Sequence, residues 1–229
     1  MDAQSLIECW ELGRCRHPLD RALLLFAAAE PHQDVEALAD RPIGARNAAL
    51  LGLRQRLFGD VLKSCVACPA CDEELEFQIS ARELLARAPV DPSAYIDFRG
   101  HRLRLPTTRD LASVADEADA AAASRLLLAR IFESAEREPD TPELAEVADV
   151  LDAADPCMDL AFALSCASCA HEWSAPLDVP AFLWEEINAR VRILLDDVHA
   201  LARAYGWSEQ QILALSDARR GAYLERIQA

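Results

Sequence analysis

The chain contains two short cysteine stretches, Cys68-Pro69-Ala70-Cys71 and Cys166-Ala167-Ser168-Cys169. We call each stretch a knuckle, because its two-residue spacer suits a tight turn that directs both sulfur atoms toward one ion. Two knuckles supply four thiolates, the tetrahedral ligand set of structural zinc. Because 94 residues lie between the first knuckle and the second, the sequence predicts one zinc ion per chain that joins distant segments.

Two neighbouring side chains offer alternative ligands. Cys65 stands three residues before Cys68, so these two cysteines have the same spacing as a knuckle. His171 follows the second knuckle, and an imidazole can replace a thiolate at a zinc site. The preferred set remains the four knuckle cysteines, because that choice places both knuckles before similar strand-like sequences.

The residues that follow the two knuckles repeat one pattern. Apolar and polar side chains alternate in 75–79 and again in 173–177, and a period of two indicates a β-strand. Nine residues past each knuckle stands a residue type that favours a helix N-cap, Ser80 in one copy and Asp178 in the other. Glu83 is placed to complete a capping box with Ser80. Each copy therefore predicts a knuckle, a strand and the start of a helix.

The composition favours a mainly helical cytoplasmic protein. Leucine and alanine are abundant in the 229 residues, and both stabilise helices. No stretch approaches the roughly 20 apolar residues of a membrane-spanning helix, and the N-terminus lacks the pattern of a signal peptide. We therefore expect a protein that is cytoplasmic at synthesis and does not bind membranes. In that compartment, paired Cys-x-x-Cys spacing indicates metal binding rather than disulfides.

The net charge of −16 disfavours binding to nucleic acid, because phosphates repel an acidic surface. The compact basic run of Arg99, Arg102 and Arg104 is adequately explained as the solvated face of a strand. The chain also lacks a glycine-rich loop for binding nucleotide phosphates.

The predicted fold class is α+β and mainly helical, with a split zinc ribbon. The predicted segments are an N-terminal helical region (1–60), the first half of the zinc ribbon (61–80), an inserted β-hairpin and helical module (81–157), the second half of the ribbon (158–179) and a C-terminal helical region (180–229). Within the inserted module, residues 94–105 alternate around Gly100 as a hairpin. One helix is predicted from Thr107 or Thr108 to Ile131, and Asp155-Pro156 ends the next one.

The longest predicted helix covers 182–205. Its apolar stripe recurs at steps of four and three, which is typical of an amphipathic helix. The stripe consists of Leu183, Ile187, Val191, Leu194, Val198, Leu201 and Tyr205. This pattern has two interpretations, a helix packed within its own domain or a surface that binds another subunit.

No motif predicts catalysis. The five histidines are dispersed and none lies in a recognisable nucleophile motif. A four-cysteine zinc site has no open coordination position, which a catalytic zinc requires. We therefore expect no enzymatic activity and no small-molecule substrate.

Three groups of residues resemble a family from the tails of contractile phages and related injection systems. They are Pro18–Leu25 with Pro42–Ala48 and Leu53–Phe58, then Leu103–Leu111, and finally Tyr205–Ser208 with Ile212, Leu213, Arg219, Arg220, Tyr223 and Leu224. The resemblance is to baseplate assembly proteins, and a Tyr-Gly-Trp-Ser tail also recurs in tail assembly chaperones.

The resemblance implies a non-enzymatic structural or assembly role, with other baseplate or tail proteins as partners and with incorporation into a phage-tail-like particle. Aromatic side chains are enriched at interfaces, so Tyr205, Trp207 and Tyr223 are candidate partner-binding residues; the same side chains could instead close a small helical core. Two alternatives stay open: a zinc-ribbon regulator that binds nucleic acid or a polymerase, and a tail assembly chaperone absent from the final particle.

Overall fold

The computed structural model describes residues 1–88, 95–132 and 141–228. The helices in these ranges are α1 (Ala3–Gly13), α2 (Pro18–Ala29), α3 (Val35–Ala39), α4 (Ile43–Phe58), α5 (Ala81–Leu85), α6 (Thr108–Ser113), α7 (Ala120–Ile131), α8 (Thr141–Ala154), α9 (Val179–Tyr205), α10 (Glu209–Leu213) and α11 (Asp217–Gln228). The strands are β1 (Val61–Ala67), β2 (Glu74–Ser80), β3 (Ile96–Phe98), β4 (His101–Leu103), β5 (Ala161–Ser165) and β6 (Glu172–Pro176). The described strands pair in sequence order as three antiparallel hairpins. This architecture confirms the mainly helical α+β part of the predicted fold class.

The chain forms two compact units. One contains Met1–Arg21 and Ala181–Ala229, and the other contains Ala22–Pro180. All three hairpins and both knuckles belong to the second unit. The boundary between the units at residue 21 lies within the predicted N-terminal segment of 1–60. The boundaries of the five predicted segments stay predictions.

The inserted module has its own apolar core. Both strands of the β3–β4 hairpin contribute to it, and α7 and α8 cover it. Its buried members are Phe98, Leu103, Leu105, Leu128, Ile131, Val147 and Leu151. The hairpin lies where the alternation predicted it, although residue 94 of that prediction lies outside the described residues.

The predicted single helix from Thr107 or Thr108 to Ile131 is wrong, because the chain forms two helices there. Thr107 begins α6 with a capping box to Asp110, and α6 ends at Ser113. The carboxylate of Asp119 then accepts a hydrogen bond from the Ala121 N–H and begins α7. A short acidic side chain such as Asp119 can bond to nearby backbone N–H groups and so start a new helix instead of continuing the previous one. The apolar periodicity continues across this break, which is why it predicted a single helix.

The long C-terminal helix begins one turn earlier than predicted and ends where predicted. Gly206 follows Tyr205 with a φ of 67°, a backbone conformation that ends a helix at low cost in glycine. The stripe is mostly buried: the buried members are Leu183, Ile187, Val191, Leu194 and Leu201. The burial favours the first interpretation, a helix packed within its own chain.

Candidate metal centre

Each knuckle is a tight turn held by two backbone hydrogen bonds. In the first, the Cys68 N–H donates to the Glu73 carbonyl at 2.8 Å, and the Asp72 N–H donates to the Cys68 carbonyl at 2.9 Å. Asp72 has a φ of 58°, in the left-handed region that aspartate tolerates better than most residues. The turn returns the chain from β1 into β2, with Cys68 buried and Cys71 exposed.

The second knuckle has the same hydrogen bonds at equivalent positions. The Cys166 N–H donates to the His171 carbonyl, and the Ala170 N–H donates to the Cys166 carbonyl, both at 2.9 Å. Ala170 has a φ of 58°, which matches the value at Asp72. The two turns are therefore the same local structure, built from different side chains.

The repeat extends from the knuckles through both hairpins at a constant offset of 98 positions. Val66 pairs with Leu75 in the first hairpin, and Leu164 pairs with Trp173 in the second. The helices that follow, α5 and α9, begin at equivalent residues. The repeated pattern of knuckle, strand and helix start predicted from sequence is thus confirmed. The two hairpins contact each other through Phe77 and Phe162, whose ring centroids lie 6.1 Å apart.

The four knuckle sulfurs lie together, all within 4.8 Å of one another. The Sγ atoms of Cys68 and Cys169 are 3.7 Å apart, and those of Cys71 and Cys166 are 3.6 Å apart. These separations are too long for a disulfide, in which the sulfurs are about 2.05 Å apart. A tetrahedron with metal–sulfur bonds of about 2.3 Å has edges of about 3.8 Å. The arrangement can therefore hold a metal ion.

Backbone donors and neighbouring thiols set the ionisation of the cluster. The Cys169 N–H and the Ser168 N–H lower the pKa of Cys166 to about 7. The Glu73 N–H also lowers the pKa of Cys71, but hydrogen bonds with the neighbouring thiols, first that of Cys169, and partial desolvation outweigh it and raise that pKa to about 12. Four thiolates at this spacing repel one another, so full ionisation requires a cation between them.

Neither alternative ligand joins the cluster. Cys65 lies in β1 opposite Glu76 and is exposed, and it is not a member of the four-cysteine group. His171 is exposed, and its ring stacks on Trp173 with centroids 5.9 Å apart. Both side chains therefore have local positions that explain them without a metal.

Replacing Ala170 with glycine is expected to stabilise the protein by about 0.5–1 kcal/mol. A left-handed conformation costs alanine about 1–2 kcal/mol, and the greater freedom of glycine in the unfolded chain offsets part of that gain. The measurement is denaturant unfolding of the variant beside Ala167→Gly, which lacks the positive φ of Ala170 and is expected to destabilise. Equal destabilisation by both variants would contradict the prediction.

A second cluster is polar, buried and distant from the sulfurs in sequence, and the sequence reasoning missed it. Asp155 directs its Oδ2 at the Gly44 N–H, 3.0 Å away, at the N-terminus of α4. Pro42, at the N-cap of that helix, provides no side-chain cap, so a residue 111 positions away satisfies this N–H. Burial raises the pKa of Asp155, and its Oδ1 has no hydrogen-bond partner.

The same cluster contains Arg46 and Asn47. The Arg46 guanidinium donates to Thr108 Oγ1 at 3.1 Å and to Asn47 Oδ1, and burial lowers the pKa of Arg46 to about 10. The Asn47 amide donates to the carbonyls of Cys157 and Met158. The hydrogen bond from Arg46 to Thr108 therefore joins two of the stretches that carry the family resemblance, Pro42–Ala48 and Leu103–Leu111. That co-occurrence of motifs was the only sequence signal for this contact.

Asp110 joins the second of these stretches to α7. It accepts hydrogen bonds from Arg104 at 2.7 Å, from Arg130 at 3.1 Å and from the Thr107 N–H at 2.9 Å. Burial alone would raise the pKa of Asp110, but Arg104 and Thr107 outweigh burial and hold it well below its ordinary value of 3.8. Asp110 therefore contributes stability above pH 3.8 and loses it as the pH falls.

Replacing Asp110 with asparagine is expected to destabilise the protein by about 2–3 kcal/mol at neutral pH, since two arginines lose their charged partner. The loss should shrink below pH 3.8, because the carboxylate of the unfolded chain protonates there while the native carboxylate stays ionised, which destabilises the native protein but not the asparagine variant. Denaturant unfolding of both proteins at pH 7 and pH 3 measures it. A difference that is the same at both pH values would contradict this explanation.

The three candidate partner-binding aromatics contact one another in the first unit. Tyr205 stacks on Trp207 with centroids 4.7 Å apart, and Tyr223 meets Trp207 edge to face at 4.8 Å. Tyr205 is 38% exposed. The rings form a small cluster of their own, and their role in binding a partner stays a prediction.

Comparisons with known protein families, curated proteins and solved structures find no match to this chain. Within the described residues, no helix is both long enough and apolar enough to cross a membrane.

Proposed function

We propose that Cys68, Cys71, Cys166 and Cys169 hold one structural zinc ion in a split zinc ribbon. The observation that carries this proposal is the convergence of the four sulfurs within 4.8 Å of one another. Four soft sulfur donors at tetrahedral spacing suit zinc better than calcium or magnesium, which prefer oxygen. Thiolates occupying all four positions leave none for a substrate, so the proposed role is structural.

Zinc at this position would connect the two repeated hairpins. The β1–β2 and β5–β6 hairpins contact each other through Phe77 and Phe162, and each hairpin alone has only two strands. A two-stranded hairpin is marginally stable in water, so the metal–sulfur bonds would supply much of the stability of the pair. Chelation is therefore expected to loosen this part of the chain.

Zinc is expected to stay bound at pH 7–8 and to leave below about pH 5, because each cysteine must lose its proton to bind the metal. Cys166, with its pKa depressed to about 7, loses its proton near neutrality, whereas the metal must displace the proton of Cys71, whose pKa is raised to about 12. A colorimetric zinc indicator measures the release during an acid titration. Zinc that remains bound at pH 3 in the folded protein would contradict ligation by cysteine.

We further propose that the protein is a non-enzymatic structural or assembly component of a contractile phage tail or injection-system baseplate. Support comes from the residues that carry the resemblance. Four of their polar members, Arg46, Asn47, Thr108 and Asp110, are buried and hydrogen-bonded to other segments of the unit. Residues used in this way maintain a fold, which suits a scaffold better than a catalyst.

The test is affinity purification of the tagged full-length chain from a cell that produces such particles. We expect sheath, tube or baseplate proteins to copurify. Cys68→Ser should capture less of them, and Cys65→Ser, three residues earlier in β1, is its matched control. Recovery of none of these proteins from a cell with assembled particles would overturn the proposal, as would a gene neighbourhood without tail genes.

The same preparation distinguishes the alternatives. Mass spectrometry of purified particles detects a resident component and fails to detect an assembly chaperone that has left. Retention on DNA at low salt, lost at high salt, would instead favour the zinc-ribbon regulator. The net charge of −16 leads us to expect no retention.

A further inference from the structure

The four knuckle thiols are also placed to replace the metal with covalent links between the hairpins. We propose that hydrogen peroxide oxidises them to two disulfides, Cys68–Cys169 and Cys71–Cys166, which keep the two hairpins joined after the metal has left. This inference rests on the proposed zinc site for the release of metal. The disulfide pairing depends on the sulfur geometry alone.

The geometry favours links between knuckles. Cys68 Sγ lies 3.7 Å from Cys169 Sγ, and Cys71 Sγ lies 3.6 Å from Cys166 Sγ. A disulfide brings the sulfurs to about 2.05 Å, so each pair closes by less than about 2 Å. Both pairs connect the β1–β2 hairpin to the β5–β6 hairpin.

The two thiols of each pair differ in solvent exposure, so one can react with the oxidant and the other can then form the disulfide. Cys71 and Cys169 are exposed, whereas Cys68 and Cys166 are buried. Each proposed link therefore joins an exposed sulfur of one knuckle to a buried sulfur of the other. The exposed thiol reacts with the peroxide first, and the buried thiol beside it then reacts with the product.

The chemistry balances for each disulfide. The exposed thiol attacks the peroxide, an S–O bond forms as the O–O bond breaks, and water leaves as the sulfenic acid is formed. The buried thiol attacks that sulfur, the S–S bond forms as the S–O bond breaks, and a second water leaves. Two electrons pass from the two sulfurs to the peroxide. Starting from the zinc site, two peroxides and four protons yield two disulfides, four waters and one free Zn²⁺.

The product would hold the fold together without a metal. Each link closes a loop of roughly one hundred residues, and long loops gain most from a cross-link in the chain-entropy account. Disulfides persist in oxidising surroundings outside the cell. The same four cysteines would thus join the hairpins by metal in a reducing compartment and by disulfides in an oxidising one.

The experiment oxidises the full-length protein with hydrogen peroxide and maps its tryptic peptides without reduction. Cys15→Ser and Cys65→Ser first remove the two exposed cysteines outside the cluster. Residues 64–82 form one tryptic peptide with the first knuckle, and residues 138–190 form another with the second. We expect these two peptides to be joined by two disulfides, and reduction with added zinc should restore the starting state. Two separate peptides, each with an internal disulfide, would overturn the proposal, as would sulfinic acid without disulfides.

Two further variants identify which thiols pair. Cys71→Ser/Cys166→Ser keeps Cys68 and Cys169, and its matched control Cys71→Ser/Cys169→Ser keeps Cys68 and Cys166. We expect a disulfide to form several-fold faster in the first, and equal or reversed rates would overturn the pairing. Zinc measured before oxidation tests the proposed metal site separately. If zinc is absent, that proposal fails, and the peptide map of the metal-free chain still decides the disulfides.

Discussion

Replacing Cys68 with serine is expected to reduce bound zinc from one per chain to almost none and to destabilise the unit of Ala22–Pro180 by about 4 kcal/mol or more. Cys68 is fully buried, and its sulfur lies 3.7 Å from that of Cys169. A serine hydroxyl is a poor zinc ligand, and it leaves three thiols without a cation between them. Because the metal site forms only in the folded chain, lost binding energy is lost folding energy.

Elemental analysis and denaturant unfolding measure the two effects. Cys65→Ser is the matched control, because it makes the same chemical change three residues away at an exposed position outside the sulfur group. We expect the control to keep its zinc and to change stability by less than about 0.5 kcal/mol. Equal losses in the two variants, or full zinc in Cys68→Ser, would remove Cys68 from the ligand set.

Replacing Gly44 with alanine is the second change with a large expected effect, about 3 kcal/mol or more of lost stability. A Cβ atom at this position would lie 1.7 Å from Asp155 Oδ1 and 2.2 Å from its Cγ. The carboxylate is buried and accepts the Gly44 N–H at 3.0 Å. It must therefore move, which breaks that hydrogen bond and leaves a buried polar group unsatisfied.

A second glycine of α4 is the control. At Gly52 a Cβ would meet only the Arg56 guanidinium, at 3.6 Å, so Gly52→Ala is expected to stabilise the helix by about 0.5–1 kcal/mol. Combining Gly44→Ala with Asp155→Ala should recover part of the loss, since the shorter side chain makes room. Denaturant unfolding of the four proteins completes the comparison. If Gly44→Ala is as well tolerated as Gly52→Ala, Asp155 does not occupy this position.

The knuckles and hairpins were predictable from sequence because their signals are local. A two-residue spacer defines a knuckle, and a period of two defines the strands that follow. The second copy repeats the pattern of the first at a constant offset, so Asp178, the equivalent of Ser80, predicted the start of α9 better than the apolar stripe of that helix did. An apolar stripe is recognisable only where the side chains of a helix are large and apolar. The stripe of α9 therefore predicted a start at residue 182, three residues after the observed start at Val179.

Other features depend on contacts that local patterns do not encode. The sequence indicated Asp155 only as the end of a helix, yet its carboxylate accepts a hydrogen bond from the Gly44 N–H at the N-terminus of α4, 111 residues away. The helix predicted through residues 107–131 is interrupted because Asp119 caps a new one, and the cap competes with the continuing periodicity. The partner-binding role of Tyr205 and Trp207 stays a prediction, because no pattern within the chain identifies a partner.

The most direct test of the proposed metal site is the number of zinc ions per chain in folded protein purified without a chelator. The four sulfurs lie within 4.8 Å of one another, at the spacing that a tetrahedral zinc requires. Elemental analysis is therefore expected to find one zinc per chain. Folded, monodisperse protein that contains no metal would contradict the account.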